Sequence, residues 1–252
     1  MIKIKKTMTL GNVPELPYAT EEAVSRLRVN LGFCGEDKKK IMIISSMPNE
    51  GKSFITFHLW RQFAQAGVPV VFVNTDIRKS VVVEKLAMTT ESEMTGTSDY
   101  LANDIPASEI LYHTNIPNGD LVPNIVNVVN PSILLESSKL RQLLDALADQ
   151  YRYVLIDTPP LNMVADGERI ASMSDGAVLV IRAGETPKAL VRNSIGQLSR
   201  AECPLLGTVL NRVGSSGAGY YYKRYGTYYG KKYEYNGSAY YYGKGSAKVQ
   251  SR

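Results

Sequence analysis

Lys40-Ile41-Met42-Ile43-Ile44-Ser45-Ser46-Met47-Pro48-Asn49-Glu50-Gly51-Lys52-Ser53 is the stretch that decides the fold. Its first half is a continuous apolar run, the pattern of a strand buried on both faces of a parallel sheet. Its second half is a phosphate-loop pattern. Gly51 permits close backbone approach to an anion, Lys52 brings charge to outer phosphates, and Ser53 offers a hydroxyl to Mg²⁺. A bare Gly-Lys-Ser triplet also suits a basic helix start. The strand before it and the helical pattern after it, from Lys52 to Ala66, give it the phosphate-binding meaning.

Outward from this unit the alternation continues. Gly67 ends the helix and Val70-Val71-Phe72-Val73 begins the next strand. Residues 121–129 can hold another. Pro131 to Gln150 predicts one helix, with Leu134, Leu135, Leu140, Leu143, Leu144 and Leu147 near helical spacing. Tyr153-Val154-Leu155-Ile156 and Ala177-Val178-Leu179-Val180-Ile181 predict two more buried strands, and residues 205–210 close the series. The expected fold is α/β: a doubly wound, mostly parallel sheet of the P-loop NTPase (deviant Walker) type. Before it, residues 21–31 predict an exposed helix within an N-terminal segment, 1–35. The ATP-binding domain spans 36–213, and 214–252 is a Tyr-rich low-complexity tail.

The 252 residues suffice for one good-sized core plus a tail. No apolar stretch reaches 18 residues, and Met1-Ile2-Lys3-Ile4-Lys5-Lys6 lacks the apolar run of a signal peptide, so a soluble protein is expected. Cys34 and Cys203 are isolated thiols that fit a reducing cytoplasm, and His58 and His113 are too scattered for metal ligands. The formal net charge of +5 is unevenly spread: residues 213–252 carry +6, leaving the body at −1. Residues 214–245 hold eleven of the sixteen tyrosines but no aliphatic partners, so disorder is expected there.

Two carboxylates follow strands. Asp157 ends Val154-Leu155-Ile156, on the ligand side of a parallel sheet, where it can hold Mg²⁺; Thr158-Pro159-Pro160 argues against a helix cap. Asp76, after Val73-Asn74-Thr75, has three available roles: a Mg²⁺ ligand, acceptor of a proton from an attacking hydroxyl, or partner of Arg78.

With these residues placed, the sequence resembles the bacterial tyrosine kinases that regulate capsule and exopolysaccharide synthesis. More narrowly it is similar to the separate cytoplasmic kinase of Gram-positive bacteria, whose transmembrane activator is another polypeptide. Ser45 to Ser53 resembles that family's Walker A, and Asn74-Thr75-Asp76-Ile77-Arg78-Lys79 its second motif, normally Asp-x-Asp-x-Arg. Ile156-Asp157-Thr158-Pro159-Pro160 resembles its Walker B, Asn130-Pro131 with Leu134-Leu135-Glu136-Ser137 its helix start, and Leu210-Asn211-Arg212-Val213 its last strand.

The resemblance implies an ATP- and Mg²⁺-dependent autophosphorylating tyrosine kinase. Asn49, Glu50, Gly51, Lys52, Ser53 and Phe54 would bind ATP. Ser53, Asp157 and Asp76 would hold Mg²⁺, and Lys52, Asp76 and Asp157 would carry the chemistry. Asn211 lies either near the adenine or as a structural residue at a strand end. The acceptors would be Tyr220, Tyr221, Tyr222, Tyr225, Tyr228, Tyr229, Tyr233, Tyr235, Tyr240, Tyr241 and Tyr242 of a neighbouring subunit. Implied partners are a transmembrane activator of the polysaccharide co-polymerase type, further copies of the chain in a ring-like oligomer, and a cognate tyrosine phosphatase. The implied location is cytoplasmic, at the inner face of the membrane through a partner.

Several positions depart from the family pattern. Asn74 replaces an Asp and Ser80 a Pro. Asn49 stands where Gly is usual and Phe54 where Ser or Thr is, and a positive φ is expected at Asn49. The ring-forming Glu-x-x-Arg-x-x-Arg helix becomes Glu22, Ser25 and Arg28, with Arg26 adjacent. Other readings are a partition-type ATPase, opposed by Met47 where those proteins carry a signature Lys, and an ATP-binding regulator of weak activity. A nucleic-acid-binding tail is a third, but no nucleic-acid partner is expected, since the body has no matching basic charge.

Overall fold

The computed structural model describes residues 2–213; the tail and all eleven candidate acceptor tyrosines lie outside the described residues. Strands in chain order are β1 (Lys6–Leu10), β2 (Lys40–Ser45), β3 (Val70–Asn74), β4 (Met88–Thr89), β5 (Tyr112–Thr114), β6 (Gly119–Val122), β7 (Tyr153–Asp157), β8 (Gly176–Arg182) and β9 (Leu205–Asn211). Helices are α1 (Tyr18–Gly32), α2 (Lys52–Gln65), α3 (Val82–Lys85), α4 (Thr97–Ala102), α5 (Ser132–Glu136), α6 (Ser138–Ala148), α7 (Asp166–Ala171) and α8 (Lys188–Arg200). The strands form one sheet in the order β4-β1-β5-β6-β3-β7-β2-β8-β9. Pairing is parallel except between β1 and β4 and between β5 and β6.

Strand alternation divides the core. Ile41, Ile43, Val70, Phe72, Leu155 and Val178 face one side, packed with α1 and α2 around Trp60 and Phe57. Met42, Ile44, Val71, Val73, Ile156 and Leu179 face the other, with Leu140, Leu143, Leu144 and Leu147 of α6 and Ile170 of α7. Both faces of the central strands are therefore covered, which is why their sequences are apolar without interruption.

Two expectations change in detail. The single helix expected from Pro131 to Gln150 is two, because Ser137 is extended (φ −65°, ψ 151°). Its hydroxyl donates to the Leu134 carbonyl at 2.7 Å, closing the first helix. The strand expected over 121–129 is only β6, and from Pro123 the chain turns into a loop over the sheet end. The N-terminal segment 1–35 contributes a strand to the sheet. Its residues 6–10 are β1, hydrogen-bonded to β5, and the body from 1 to 212 forms one compact unit.

Candidate active site

The register of the central strands builds the site. Asn74 of β3 and Ile43 of β2 both stand level with Asp157 of β7, so β3 and β7 end together while β2 runs on to Ser45. The amide and the hydroxyl of Thr75 both donate to the Asp157 carbonyl at 2.8 Å, fixing the exit of β3 against that of β7. A cleft of about 610 Å³ opens above these ends, lined by the phosphate loop, the loop after β3, residues 157–164 and Asn211 with Arg212.

The loop takes its shape from two left-handed positions, Asn49 (φ 62°) and Gly51 (φ 99°). The positive φ expected at Asn49 is thus present. A Cβ on Gly51 would lie 2.1 Å from Asn211 Nδ2, so both conformation and space demand glycine there. Asn211 Nδ2 donates to the Glu50 carbonyl at 2.8 Å. Asn211 thus braces the loop and also lines the cleft. Lys52 begins α2, placing the unpaired amides of its first turn under the loop.

Glu50 turns its side chain into the protein. Its side chain is buried, accepting from the Met47 amide at 2.8 Å and from the Thr186 hydroxyl. A carboxylate turned toward a triphosphate would be repelled; here it staples the loop to the turn after β8 instead. Any contact Glu50 makes to a nucleotide therefore runs through its backbone. Phe54 lines the cleft, half-exposed, with its ring 4.4 Å from that of His58.

Lys52, Asp76 and Asp157 converge. Lys52 Nζ lies 3.3 Å from Asp76 Oδ2. Asp76 Oδ1 accepts the Lys79 amide at 3.2 Å, and Asn74 Oδ1 accepts the Asp76 amide at 3.1 Å. Asp76 thus pairs with Lys52 rather than Arg78. Arg78 instead grips buried Asp166 with two bonds, Nε to Oδ2 at 2.5 Å and Nη2 to Oδ1 at 3.1 Å.

Asp157 is fully buried, and neither carboxylate oxygen has a hydrogen-bond partner among the described residues. Burial pushes its carboxyl up to about 6, against the downward pull of Lys52 and of the Ser53 and Thr56 hydroxyls nearby. Neither hydroxyl reaches hydrogen-bond geometry with it, and Thr56 Oγ1 donates to the Lys52 carbonyl at 2.8 Å. Two orphaned carboxylate oxygens beside a serine hydroxyl are a donor set for an oxygen-binding cation. Among the described residues no cluster of three or more His, Cys, Asp or Glu could hold a metal. A cation here would complete its shell from water and phosphate, as Mg²⁺ does.

Arg78, Lys79, Lys85 and Arg212 also line the cleft. Arg78, read from the sequence as a possible partner of Asp76, lay within a quoted motif, as did Lys79 and Arg212, while Lys85 carried no signal. Glu22 and Arg26 are exposed one turn apart on α1, but Arg28 is half-buried with its Nε unpartnered among the described residues, so the three do not share a face.

An AAA domain family matches residues 38–186, more than half of the chain. Tyrosine-protein kinase CpsD of Streptococcus agalactiae is 33% identical over 215 residues, covering 84% of this chain and 91% of that protein. The kinase domain of the Escherichia coli tyrosine kinase ETK superposes with a TM-score of 0.72 at 27% identity, over 92% of this chain and 87% of that one. The septum site-determining protein MinD of Pyrococcus horikoshii, solved with Mg-ADP, shares the fold: TM-score 0.59 at 22% identity, over 70% and 71% of the two chains. The strand–loop–helix unit thus belongs to a P-loop fold shared with ATPases, but its likeness along most of the sequence is to kinases, and the chain belongs to the bacterial tyrosine-protein kinases.

Proposed function

We propose that the cleft binds ATP with Mg²⁺ and passes the γ-phosphoryl group to tyrosines of segment 214–252 in a neighbouring copy, in the control of capsule or exopolysaccharide assembly. The observation that carries this reading is the buried Asp157 carboxylate, unpartnered beside Ser53 and facing the cleft shared by Lys52 and Asp76. Ser53 and Asp157 would hold Mg²⁺, with Asp76 close by, and the metal would neutralise phosphate charge when bound. Lys52 and the amides of residues 49–54 would hold the phosphates, drawing Lys52 away from Asp76. Asp76 then receives the phenolic proton as the tyrosine oxygen bonds to the γ-phosphorus. The bond from that phosphorus to the β–γ bridging oxygen breaks, and ADP leaves. Positioning and charge neutralisation supply most of such a rate.

In this reading residues 36–213 are the kinase domain, 1–35 an N-terminal segment bearing the oligomerisation helix, and 214–252 the acceptor tail. A transmembrane activator would hold the chain at the inner face of the membrane, and a tyrosine phosphatase would reset it. Mass spectrometry of tail phosphopeptides tests the core of the proposal. With Mg²⁺, ATP and an activator fragment, wild type should carry phosphotyrosine that Lys52→Met and Asp76→Asn lack. Wild type without phosphotyrosine under those conditions refutes it.

A further inference from the structure

Beyond the groups needed for phosphate and metal, the cleft has a wall of unpaired positive charge. Lys79 lies in the loop after β3 and Lys85 in the last turn of α3, and both side chains are exposed at the cleft. Neither has a carboxylate within 4.0 Å among the described residues, whereas Lys52 is matched by Asp76 and Arg78 by Asp166. The wall is tied to the chemistry, since the Lys79 amide donates to the Asp76 carboxylate. An acceptor tyrosine whose proton goes to Asp76 would enter beside Lys79, in the cleft that Lys85 also lines.

The acceptor segment has the wrong sign for such a wall when unmodified: residues 213–252 carry +6. Each phosphate adds about −1.5 to −2 at neutral pH and three strong acceptor oxygens. The tyrosines also recur two apart, at Tyr220 and Tyr222, Tyr233 and Tyr235, and Tyr240 and Tyr242. In a peptide entering extended, residues two apart share a face at about 6.8 Å. That places a phosphate on one beside the lysines while the other reaches Asp76.

We propose that Lys79 and Lys85 form a phosphotyrosine subsite, so that one phosphate in a tyrosine run primes the phosphorylation of its neighbour two residues away. This rests on the kinase reading of the cleft and names the substrate form that the cleft prefers: a tyrosine peptide already bearing one phosphate. The first transfer in a run is slow, and later ones are faster.

The test uses dephosphorylated full-length protein and two peptides of residues 217–226, one unmodified and one phosphorylated at Tyr220. Fluorescence anisotropy with a non-hydrolysable ATP analogue reads affinity, and phosphate incorporation with Mg-ATP reads transfer. The primed peptide should bind about 5–10-fold more tightly at low ionic strength, with the gap shrinking as salt rises. In the Lys79→Ala/Lys85→Ala variant the two peptides should bind within about twofold of each other. Equal binding to wild type, or a preference that survives in the variant, overturns the subsite. So does a loss of ATP affinity in the variant as large as its loss of primed-peptide affinity, because the lysines would then serve the nucleotide. Absence of transfer to either peptide refutes the kinase reading of the cleft, and the binding comparison decides the subsite by itself.

Discussion

Replacing Glu50 by alanine removes the carboxylate that joins the phosphate loop to the turn after β8. In the folded chain this group is 2% exposed and accepts from the Met47 amide at 2.8 Å and from the Thr186 hydroxyl. Hydrogen bonds to a charged acceptor contribute about 1.5–3 kcal/mol each, and donors left buried without a partner add their own cost. Water entering the vacated space offsets part of this, so Glu50→Ala should lower the unfolding free energy by about 3 kcal/mol. For a body of this size that lowers Tm by about 6–12 °C. Glu50→Gln keeps one acceptor oxygen for Met47 and should lose about 1 kcal/mol, or 2–4 °C. Thermal and urea unfolding of the nucleotide-free protein reads the first effect, and calorimetric titration with Mg-ATP reads the second. Affinity should fall with the loosened loop in Glu50→Ala and change little in Glu50→Gln. The reasoning fails if Glu50→Ala keeps the wild-type Tm while ATP affinity collapses, because the carboxylate would then face the nucleotide.

Asp76→Asn should retain ATP binding while transfer falls about 10²–10⁴-fold, the range for a lost acid–base group; equal loss of binding and transfer would point to a phosphate-binding role instead. Arg78→Lys replaces a two-bond grip on buried Asp166 with one contact and should lower stability by about 1–2 kcal/mol in urea unfolding. His58 is buried with both ring nitrogens unpartnered among the described residues, and burial, aided by Arg61, holds its pKa down at about 4. A depressed histidine favours the neutral folded form, so its contribution is intact above an unfolded pKa of about 6.5 and is lost as pH falls toward 4, by about 3 kcal/mol. His58→Leu should flatten that acid limb when urea midpoints at pH 7 and pH 4.5 are compared, and an unchanged slope would assign the limb to other groups.

What the sequence revealed follows from how local each feature is. Strands β2, β3, β7 and β8 were legible because both faces are covered, which leaves continuous apolar runs with sharp ends. Strand β1 (Lys6-Thr7-Met8-Thr9-Leu10) was not, because only Met8 and Leu10 are buried and polar residues intervene. Helix α8 was missed for a related reason: of its thirteen residues only Ser194 and Leu198 are buried, so its apolar stripe is faint. At the site, Gly51, Lys52, Ser53 and Asp157 were readable because strand, loop and helix signals surround them within a few residues. Thr186, which holds Glu50 from 136 residues away, had no local sign. Nor could the sequence separate Arg78 from Asp76, two residues apart and of opposite charge. Only the fold shows that each has a different partner.

Asn74 and Ser80 read from the sequence as two separate departures from the family's Asp and Pro, and the structure joins them. Asn74 is fully buried; its Oδ1 accepts the Asp76 amide while its Nδ2 donates to Ser80 Oγ at 2.5 Å. An amide at 74 facing a proline at 80 would leave a buried donor with no acceptor there, a loss of about 1–3 kcal/mol. A carboxylate at 74 needs no such acceptor, but it would stand level with buried Asp157 and next but one to Asp76, adding a third negative charge. The Asn–Ser pair removes that repulsion and keeps the turn, because the bond that sets the Asp76 backbone requires only the oxygen that Asn and Asp share. Ser80 is held in turn by Asn127, whose Oδ1 accepts its amide at 2.9 Å, so the loop bearing Asp76 and Lys79 is anchored to the loop after β6. The exchange therefore alters the charge beside the proposed metal position and leaves the geometry of Asp76 in place.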